Sequence, residues 1–344
     1  MTGFQAEKIL AKSVGELFLR SEHLRDDYVK LAARWHPDRN KDPLAGAVMA
    51  HINILYAEAC RSAKSGRTGS GGSLQLETVE RGRVMFNYLT SGVFELGQYY
   101  ANADKVIYII PEQYHQYVNN FRQIVSSFTY STRDLKERIG RCMPGTLDSL
   151  RLNSGQYVLA VKKNRDALLM RDVINHYPNG IEPPHAAWMV SRLLMICVYL
   201  YHARLVSSGL TIDSCFVSPS LHAVFPLGSW WFACGEGQTV ETVPAAIYDV
   251  LPTEMKDSGR ADHVGDLESV KLMGRQMFKD PTGMRLRDRG GLHESLAIWL
   301  NSAADDDPVT EFESWHQCLK QAFGPRRFVE MRLDSEMVYG PSAN

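Results

Sequence analysis

Residues 28–40 read YVKLAARWHPDRN, and this stretch decides how the beginning of the chain folds. Apolar residues recur at helical spacing over 22–35, which predicts a helix with Trp35 on its buried face. Pro37 fixes its own φ and disfavours helical geometry at His36, so the helix must end close to Trp35. The His-Pro-Asp triplet is therefore predicted to form a bend directly after a helix.

Two further helices are predicted on either side of this segment. Residues 5–19 carry apolar side chains at helical spacing, and a longer helix is predicted over about 44–62. The apolar stripe of that longer helix consists of Leu44, Val48, Ile52, Leu55 and Ala59. Two long helices that are joined by a polar loop and braced by a short first helix can share one small core. The sequence thus predicts an all-α domain over residues 1–62.

The predicted bend combines a stiff loop with a local positive charge. Pro37 restricts the loop and removes one hydrogen-bond donor, and Asp38 presents a carboxylate at a fixed position. Nearby basic residues should steer the domain toward an acidic surface, through contacts that salt weakens. These residues are Lys30, Arg34 and Arg39, with Arg25 extending the patch.

These features resemble the J domain of DnaJ-type co-chaperones, whose hallmark is a His-Pro-Asp triplet between two antiparallel helices. The resemblance continues into MAHINILYAEA, where Met49 stands in place of the family's usual phenylalanine. It implies that the domain docks on a DnaK-type ATPase and stimulates its ATP hydrolysis, with Asp38 meeting an arginine of that ATPase. The residues that the resemblance assigns to chaperone binding are His36, Pro37, Asp38, Lys30, Arg34, Arg39 and Arg25.

A stretch rich in glycine and serine follows the helical domain. Residues 62–73 read SAKSGRTGSGGS and contain no large apolar side chain. Such a composition cannot bury enough surface to become ordered. We therefore predict a flexible linker over 63–74, which separates residues 1–62 from a second domain over 75–344.

The second domain has its own order of predicted elements. Residues 92–110 predict two strands around a turn and then a third strand, KVIYII, and another strand is predicted over 155–163. A long apolar helix over 187–205 precedes the segments VSSGLTIDSCFVSP and HAVFPLGSWWF. This order resembles a protein kinase. The resemblance implies a two-lobed α+β fold, with an N-lobe over about 80–165 and a C-lobe over about 166–335.

Several single residues extend the likeness to kinases. Gly92 and Gly97 stand where kinases have the glycines of the loop that covers the nucleotide. Tyr248 and Pro252 stand near the expected end of an activation segment, and Asp266 stands where the following buried helix has a structural aspartate.

Under this resemblance, the groups that perform phosphoryl transfer are missing. Tyr108 replaces the strand lysine that holds the phosphates, and Gly209 occupies the position of the catalytic base. Ser214 occupies the position of the metal-binding asparagine, and Ser229 or Gly228 occupies that of the metal-binding aspartate. Phosphoryl transfer depends on positioned metal ions and neutralised charge, so the loss of all these groups should abolish it. We predict a pseudokinase that binds a client or partner.

Two alternative functions remain open from the sequence. In one, the second domain is an atypical kinase or nucleotide-binding enzyme that has rebuilt its site with Asp213 and Lys162 or Lys163. In the other, the protein is a non-catalytic assembly scaffold whose J domain has become vestigial. Binding of ATP and Mg²⁺ would favour the first alternative. Binding of a DnaK-type partner that does not depend on Asp38 would favour the second.

Composition narrows the classes of function. The 344 residues include 38 Lys and Arg against 39 Asp and Glu, so no global field recruits nucleic acid. The late basic residues Arg326, Arg327 and Arg332 predict a solvated helix face without the aromatic interleaving of a nucleic-acid site. The longest apolar run in the C-terminal half is far too short to span a bilayer. We predict a cytoplasmic protein that binds a DnaK-type chaperone and an unknown client, with no nucleic acid, membrane or cofactor.

Overall fold

The structure, a computed structural model, has mixed α and β architecture. It describes residues 6, 9–10, 24–37, 39–64, 71–145 and 147–340, with the backbone alone for 24–26, 57–64 and 147. The chain runs from a helical unit through a strand-rich region into a larger helical region. Within the described residues, no helix combines the length and apolar character needed to cross a membrane.

Two antiparallel helices form the N-terminal unit: α1 (Leu24–Trp35) and α2 (Ala45–Lys64). The hydroxyl of Tyr28 donates a hydrogen bond to Asn53 Oδ1 at 3.1 Å, and its ring stacks on Tyr56 with the centroids 4.1 Å apart. These contacts join the first half of α1, which is remote from the connecting loop, to the middle of α2. The buried core of the unit consists of Trp35, Val48, Ile52 and Leu55, together with Ala6 and Leu10 from the preceding segment.

The loop over 36–44 is held by hydrogen bonds within the bend. The carbonyl of His36 accepts hydrogen bonds from the amides of Arg39 and Asn40, both at 2.9 Å. The side-chain amide of Asn40 donates to the carbonyl of Arg34 at 3.0 Å and so ties the loop back to α1. These hydrogen bonds connect the described residues on both sides of position 38 to each other and to α1.

A β-hairpin follows that the sequence pattern did not predict. Its strands are β1 (Gly72–Thr78) and β2 (Gly82–Tyr88). The predicted linker over 63–74 is therefore too long at both ends, because α2 continues to Lys64 and Gly72 already pairs with Tyr88. Pairing with β2 satisfies the backbone of this glycine-rich stretch, which composition alone does not reveal. Residues 65–70 lie outside the described residues.

A five-stranded antiparallel sheet forms the centre of the strand-rich region. In chain order its strands are β3 (Thr90–Phe94), β4 (Gly97–Ala101), β5 (Lys105–Ile110), β6 (Leu147–Arg151) and β7 (Tyr157–Lys162). Their spatial order is β3-β4-β5-β7-β6. The helices α3 (His115–Ser127) and α4 (Arg133–Arg138) are inserted between β5 and β6.

Both faces of this sheet are covered, which explains why β5 is apolar at successive positions. On one face, Ile107 and Ile109 belong to a cluster with Leu76 and Phe86 of the hairpin. On the other face, Tyr108 belongs to a cluster that includes apolar residues of α3. The hairpin thus forms a third layer on the side of the sheet away from α3.

The remaining residues form a mostly helical region. Its helices are α5 (Met170–His176), α6 (Pro183–His202), α7 (Ala245–Tyr248), α8 (Thr253–Ser258), α9 (His263–Met277), α10 (Glu294–Asn301), α11 (Pro308–Phe323) and α12 (Ser335–Tyr339). Its short strands are β8 (Leu168–Leu169), β9 (Leu205–Val206), β10 (Phe216–Ser218), β11 (Ala223–Phe225) and β12 (Cys234–Gly235). Helix α6 packs against α9 and α11 at the centre, and β9 pairs with β12.

The prediction of a basic helix face at Arg326, Arg327 and Arg332 is wrong. Helix α11 ends at Phe323, and Gly324 follows with φ 69°. A glycine in this left-handed conformation commonly ends a helix, and the proline after it supplies no amide donor. Residues 324–334 consequently run across the surface without helix or strand.

Candidate functional site

The bend after α1 brings most of the predicted chaperone-binding residues to the surface. The exposed members of this group are Lys30, Arg34, His36, Pro37 and Arg39. The ammonium of Lys30 lies 3.9 Å from a carboxylate oxygen of Asp27, which is a loose and exposed contact. Asp38 and the side chain of Arg25 lie outside the described residues.

A shallow depression adjoins this bend. It has a volume of about 380 Å³ and is lined by Tyr28, Val29, Ala32, Ala33, His36 and Arg39. Tyr28 is half-buried, so it borders this surface as well as the small core of the unit. Val29 is 54% exposed. The surface next to the bend is therefore partly apolar, with basic and imidazole groups at its edge.

The space between the sheet and the helical region is filled by aromatic rings. Tyr108 of β5 makes edge contacts with Phe94 and Trp231, at 5.3 and 5.1 Å between ring centroids. Phe121 of α3 lies 4.4 Å from the same Trp231. Burial raises the pKa of Tyr108. The cavity that remains has a volume of about 10 Å³, whereas small-molecule sites usually have about 300–1,000 Å³.

Gly92 and Gly97 serve close packing of the sheet. A Cβ on Gly92 would meet the hydroxyl of Tyr99 at 2.6 Å, and a Cβ on Gly97 would meet the carbonyl oxygen of Ile109 at 2.1 Å. Both contacts lie within the five-stranded sheet. The two glycines are therefore explained by their strand neighbours, and their presence does not require a phosphate.

A buried serine cluster includes Ser214 and Ser229, the positions that the kinase likeness assigns to metal ligands, and it bonds the backbone of Gly209, the position assigned to the base. Ser214 Oγ lies 2.8 Å from Ser229 Oγ and donates to the carbonyl of Gly209, also at 2.8 Å. Ser207 Oγ donates to the carbonyl of Ser229 at 2.8 Å. These hydroxyls satisfy one another and the local backbone, so the cluster joins two loops without a carboxylate.

Asp266 of α9 binds the backbone of the loop that contains Ser207 and Ser208. Its carboxylate accepts hydrogen bonds from the amides of Ser207 at 2.7 Å and Ser208 at 2.9 Å. Asp266 is 1% exposed, and burial raises its pKa to about 7 in spite of the two amide donors. Ser208 adopts a left-handed φ of 50°. A non-glycine residue in this region is strained, and the two amide contacts hold it there.

A buried ionic network links the sheet to the helical region through Arg171 of α5. Its guanidinium lies 2.7 Å from Asp213 Oδ1 and also bonds the hydroxyl of Tyr99 on β4. Its neighbour Asp172 accepts a hydrogen bond from Thr90 Oγ1 on β3 at 2.9 Å. Burial raises the pKa of Asp172, and the nearby guanidinium opposes that shift. Residues from both regions are thus joined by charge away from solvent.

The lysines proposed for a rebuilt kinase site are not directed at Asp213. Lys163 Nζ donates hydrogen bonds to the carbonyls of Ala103, Asn164 and Ala167 at 2.9, 3.1 and 2.8 Å. Burial lowers the pKa of Lys163 to about 8. Lys162 is exposed at the end of β7. The structure therefore does not bring these three residues together.

A groove that the sequence did not predict lies beside α7, α8 and the start of α9. It has a volume of about 450 Å³, and Ser208 forms part of its lining. Its apolar lining includes Val240, Val243, Ile247, Leu251 and Met255. Its charged lining includes Glu241, Asp249, Lys256, Arg260 and Asp262. The residues come from separate segments, so no local motif marks the groove.

Comparison with known proteins does not assign the chain to a family. No protein-family model matches the chain, and no curated protein matches it in sequence. Among the described residues, no group of three or more His, Cys, Asp or Glu side chains is arranged to hold a metal ion.

Proposed function

We propose that this protein is a J-domain co-chaperone, whose N-terminal unit binds a DnaK-type ATPase and stimulates its ATP hydrolysis. The observation that carries the proposal is the exposed bend at His36 and Pro37 between two antiparallel helices with one small core. The sequence features that resemble a J domain lie on this bend and on the helices beside it. The partner supplies the nucleotide chemistry, and this protein supplies the docking surface.

The basic residues are placed to guide that docking. Lys30 and Arg34 are four residues apart on α1 and so share one helix face, and Arg39 follows the bend. Exposed charges of this kind mainly raise the rate of association with an oppositely charged partner, and salt screens them. The partly apolar depression beside them offers contact area once the two proteins meet. We expect binding to weaken as ionic strength rises.

We further propose that the second domain is a protein-kinase-like fold. The order β3-β4-β5-β7-β6, with α3 inserted before β6, supports this interpretation, as does Asp266 holding the loop at Ser207. In kinases, a lysine on the third strand pairs with a glutamate of the following helix. Here Tyr108 of the third sheet strand and Phe121 of α3 both contact Trp231. An aromatic core thus takes the place of an ion pair.

The geometry argues against phosphoryl transfer by this domain. The cleft has about 10 Å³ of free volume, and Asp213 is engaged by Arg171. The hydroxyls of Ser214 and Ser229 bond each other. We therefore infer a pseudokinase that acts by binding, and the groove beside α7 and α8 is the surface we assign to a client or partner segment. Tethering such a client raises its effective concentration near the J domain.

The test is a single-turnover ATPase assay with purified DnaK and the full-length protein. We expect stimulation by wild type and its loss in His36→Gln and Asp38→Asn. The matched control is Asp257→Asn, the same chemical change at an exposed residue of α8. Circular dichroism should show equal helix content in all variants. Full stimulation by the Asp38 variant would reject the mechanism.

Two measurements separate this proposal from its alternatives. Pull-down of DnaK by wild type and not by Asp38→Asn argues against a scaffold with a vestigial J domain. A thermal shift with ATP and Mg²⁺ tests for an atypical kinase, because a ligand that binds the folded state raises its stability. We expect no shift.

A further inference from the structure

Three aromatic rings from distant parts of the sequence form a continuous stack on the helical region. Trp188 of α6 and His222 lie 4.7 Å apart between centroids, with an interplanar angle of 13°. His222 and Phe328 lie 4.4 Å apart at 21°. Phe328 is 75% exposed and ends the stack. The protein therefore presents an aromatic face to solvent, supported from behind by two further rings.

The backbone holds the central ring under strain. His222 has a left-handed φ of 46°, which is uncommon for a residue with a bulky side chain. Its carbonyl accepts a hydrogen bond from Arg192 Nε at 2.8 Å. The hydroxyls of Ser218 and Ser220 both bond Asp166 and so shape the turn before it. Strain kept in this way accompanies functional sites more often than plain surface turns.

Arg192, which bonds the carbonyl of His222 in the stack, has two further arginines near it. Arg192 lies one turn of α6 after Trp188 and so shares its helical face, and both Arg326 and Arg141 are close enough to repel its charge. Burial and these two like charges lower the pKa of Arg192. Within the part of the chain that the structure describes, none of the three forms an ion pair with a carboxylate. Their positive charge is therefore available to an anion.

Buried nitrogen atoms at the same place add an independent observation. Trp188 Nε1, His222 Nε2 and His185 Nδ1 are buried and lack a hydrogen-bond partner. His185 is only 9% exposed. Buried polar atoms are nearly always paired in folded proteins, and these three nitrogens lie in the stack or within one helical turn of it.

We propose that this surface, the Phe328 site, binds a nucleoside phosphate, either free or within a single strand. The site comprises Trp188, His222, Phe328, Arg141, Arg192 and Arg326. A base stacks on the open face of Phe328, and its phosphate is held by the arginines. An acidic peptide would use the charges and leave the exposed ring without a planar partner. This inference is independent of the co-chaperone function.

The test is fluorescence anisotropy of a labelled oligothymidylate with the full-length protein. Stacking of one base on an aromatic ring is worth about 1–3 kcal/mol, so Phe328→Ala should weaken binding about 5- to 150-fold. The high exposure of Phe328 means that this variant should keep its fold. Each arginine–phosphate contact contributes about −0.7 to the slope of log binding constant against log salt, so Arg326→Ala should reduce the slope by about 0.7. Arg83→Ala, a remote exposed arginine paired with Glu77, is the control.

Competition identifies the form of the ligand. If thymidine monophosphate displaces the oligomer at a concentration close to its own dissociation constant, the ligand is a free nucleotide. If it fails to displace the oligomer while unlabelled oligomer succeeds, the ligand is a single strand. Absence of binding, full binding by Phe328→Ala, or equal displacement by polyglutamate would overturn the proposal. The last result would indicate an acidic peptide surface.

Discussion

Removal of the Arg171 guanidinium should weaken the junction between the sheet and the helical region. The side chains of Arg171 and Asp213 are 12% and 10% exposed and lie 2.7 Å apart, and Asp172 is 4% exposed. Arg171→Met keeps an unbranched side chain and deletes the charge, which leaves two buried carboxyl groups without this cation. Removing one partner of a buried ion pair costs about 3–5 kcal/mol.

That cost converts into a measurable change in thermal stability. A domain of this size loses about 2–4 °C in Tm for each kcal/mol, so Arg171→Met should lower the Tm by about 6–20 °C. Thermal unfolding followed by circular dichroism gives the Tm, and urea unfolding gives the free energy. The double variant Arg171→Met with Asp213→Asn should recover part of the loss, because the second change removes a charge that the first left buried.

An exposed pair of similar geometry provides the control. Arg165 Nε lies 2.8 Å from Asp104 Oδ1, but the two side chains are 83% and 59% exposed. Solvent screens such a pair, so Arg165→Met should leave stability unchanged within error. The reasoning is refuted if Arg171→Met and Arg165→Met lower the Tm by the same amount. It is also refuted if the double variant loses more free energy of unfolding than its two single variants lose together.

Three further predictions concern other parts of the protein. Gly97→Ala should destabilise the protein by about 1–3 kcal/mol, because its Cβ would meet a carbonyl oxygen at 2.1 Å. Gly46→Ala should stabilise α2 by about 0.5–1 kcal/mol, because a Cβ at that position meets nothing within 4 Å. Urea unfolding of both variants tests the contrast. The raised pKa of Asp266 means that the folded state holds its proton more tightly than the unfolded chain between about pH 4 and pH 7. The free energy of unfolding of wild type, relative to that of Asp266→Asn, should therefore fall as pH rises through that window. Urea unfolding of both proteins at each pH measures this difference, and a constant difference would contradict the prediction. ATP with Mg²⁺ should leave the Tm of Phe328→Ala unchanged, because this variant lacks the stacking ring of the Phe328 site, and a shift in this variant that grows with ATP concentration would show that the aromatic cleft opens.

Local sequence rules located the two helices beside the bend well, whereas the helix predicted over 5–19 lies largely outside the described residues. Apolar spacing placed the helix that ends at Trp35, and the structure has it over Leu24–Trp35. Pro37 restricts the residue before it whatever surrounds it, so its effect can be predicted without tertiary information. The same rules failed at residues 72–74, since strand pairing with a distant partner overrides composition.

The positions that the kinase likeness assigns to catalysis could be named from the sequence, but their environment could not. Sequence identifies a serine at 214 and at 229, and only the fold shows that the two hydroxyls lie 2.8 Å apart. The aromatic filling of the cleft depends on Trp231 reaching both Tyr108 and Phe121, which belong to different elements. Side chains far apart in sequence leave no periodic signal.

By itself, the sequence determined the helical bend, its proline and the basic residues around it, because each follows from backbone restrictions and spacing within a few residues. Only the tertiary structure decided what Arg171, Asp266 and Phe328 contact. Those contacts join residues tens to more than a hundred positions apart, and the free energy that selects them comes from burial in the complete fold.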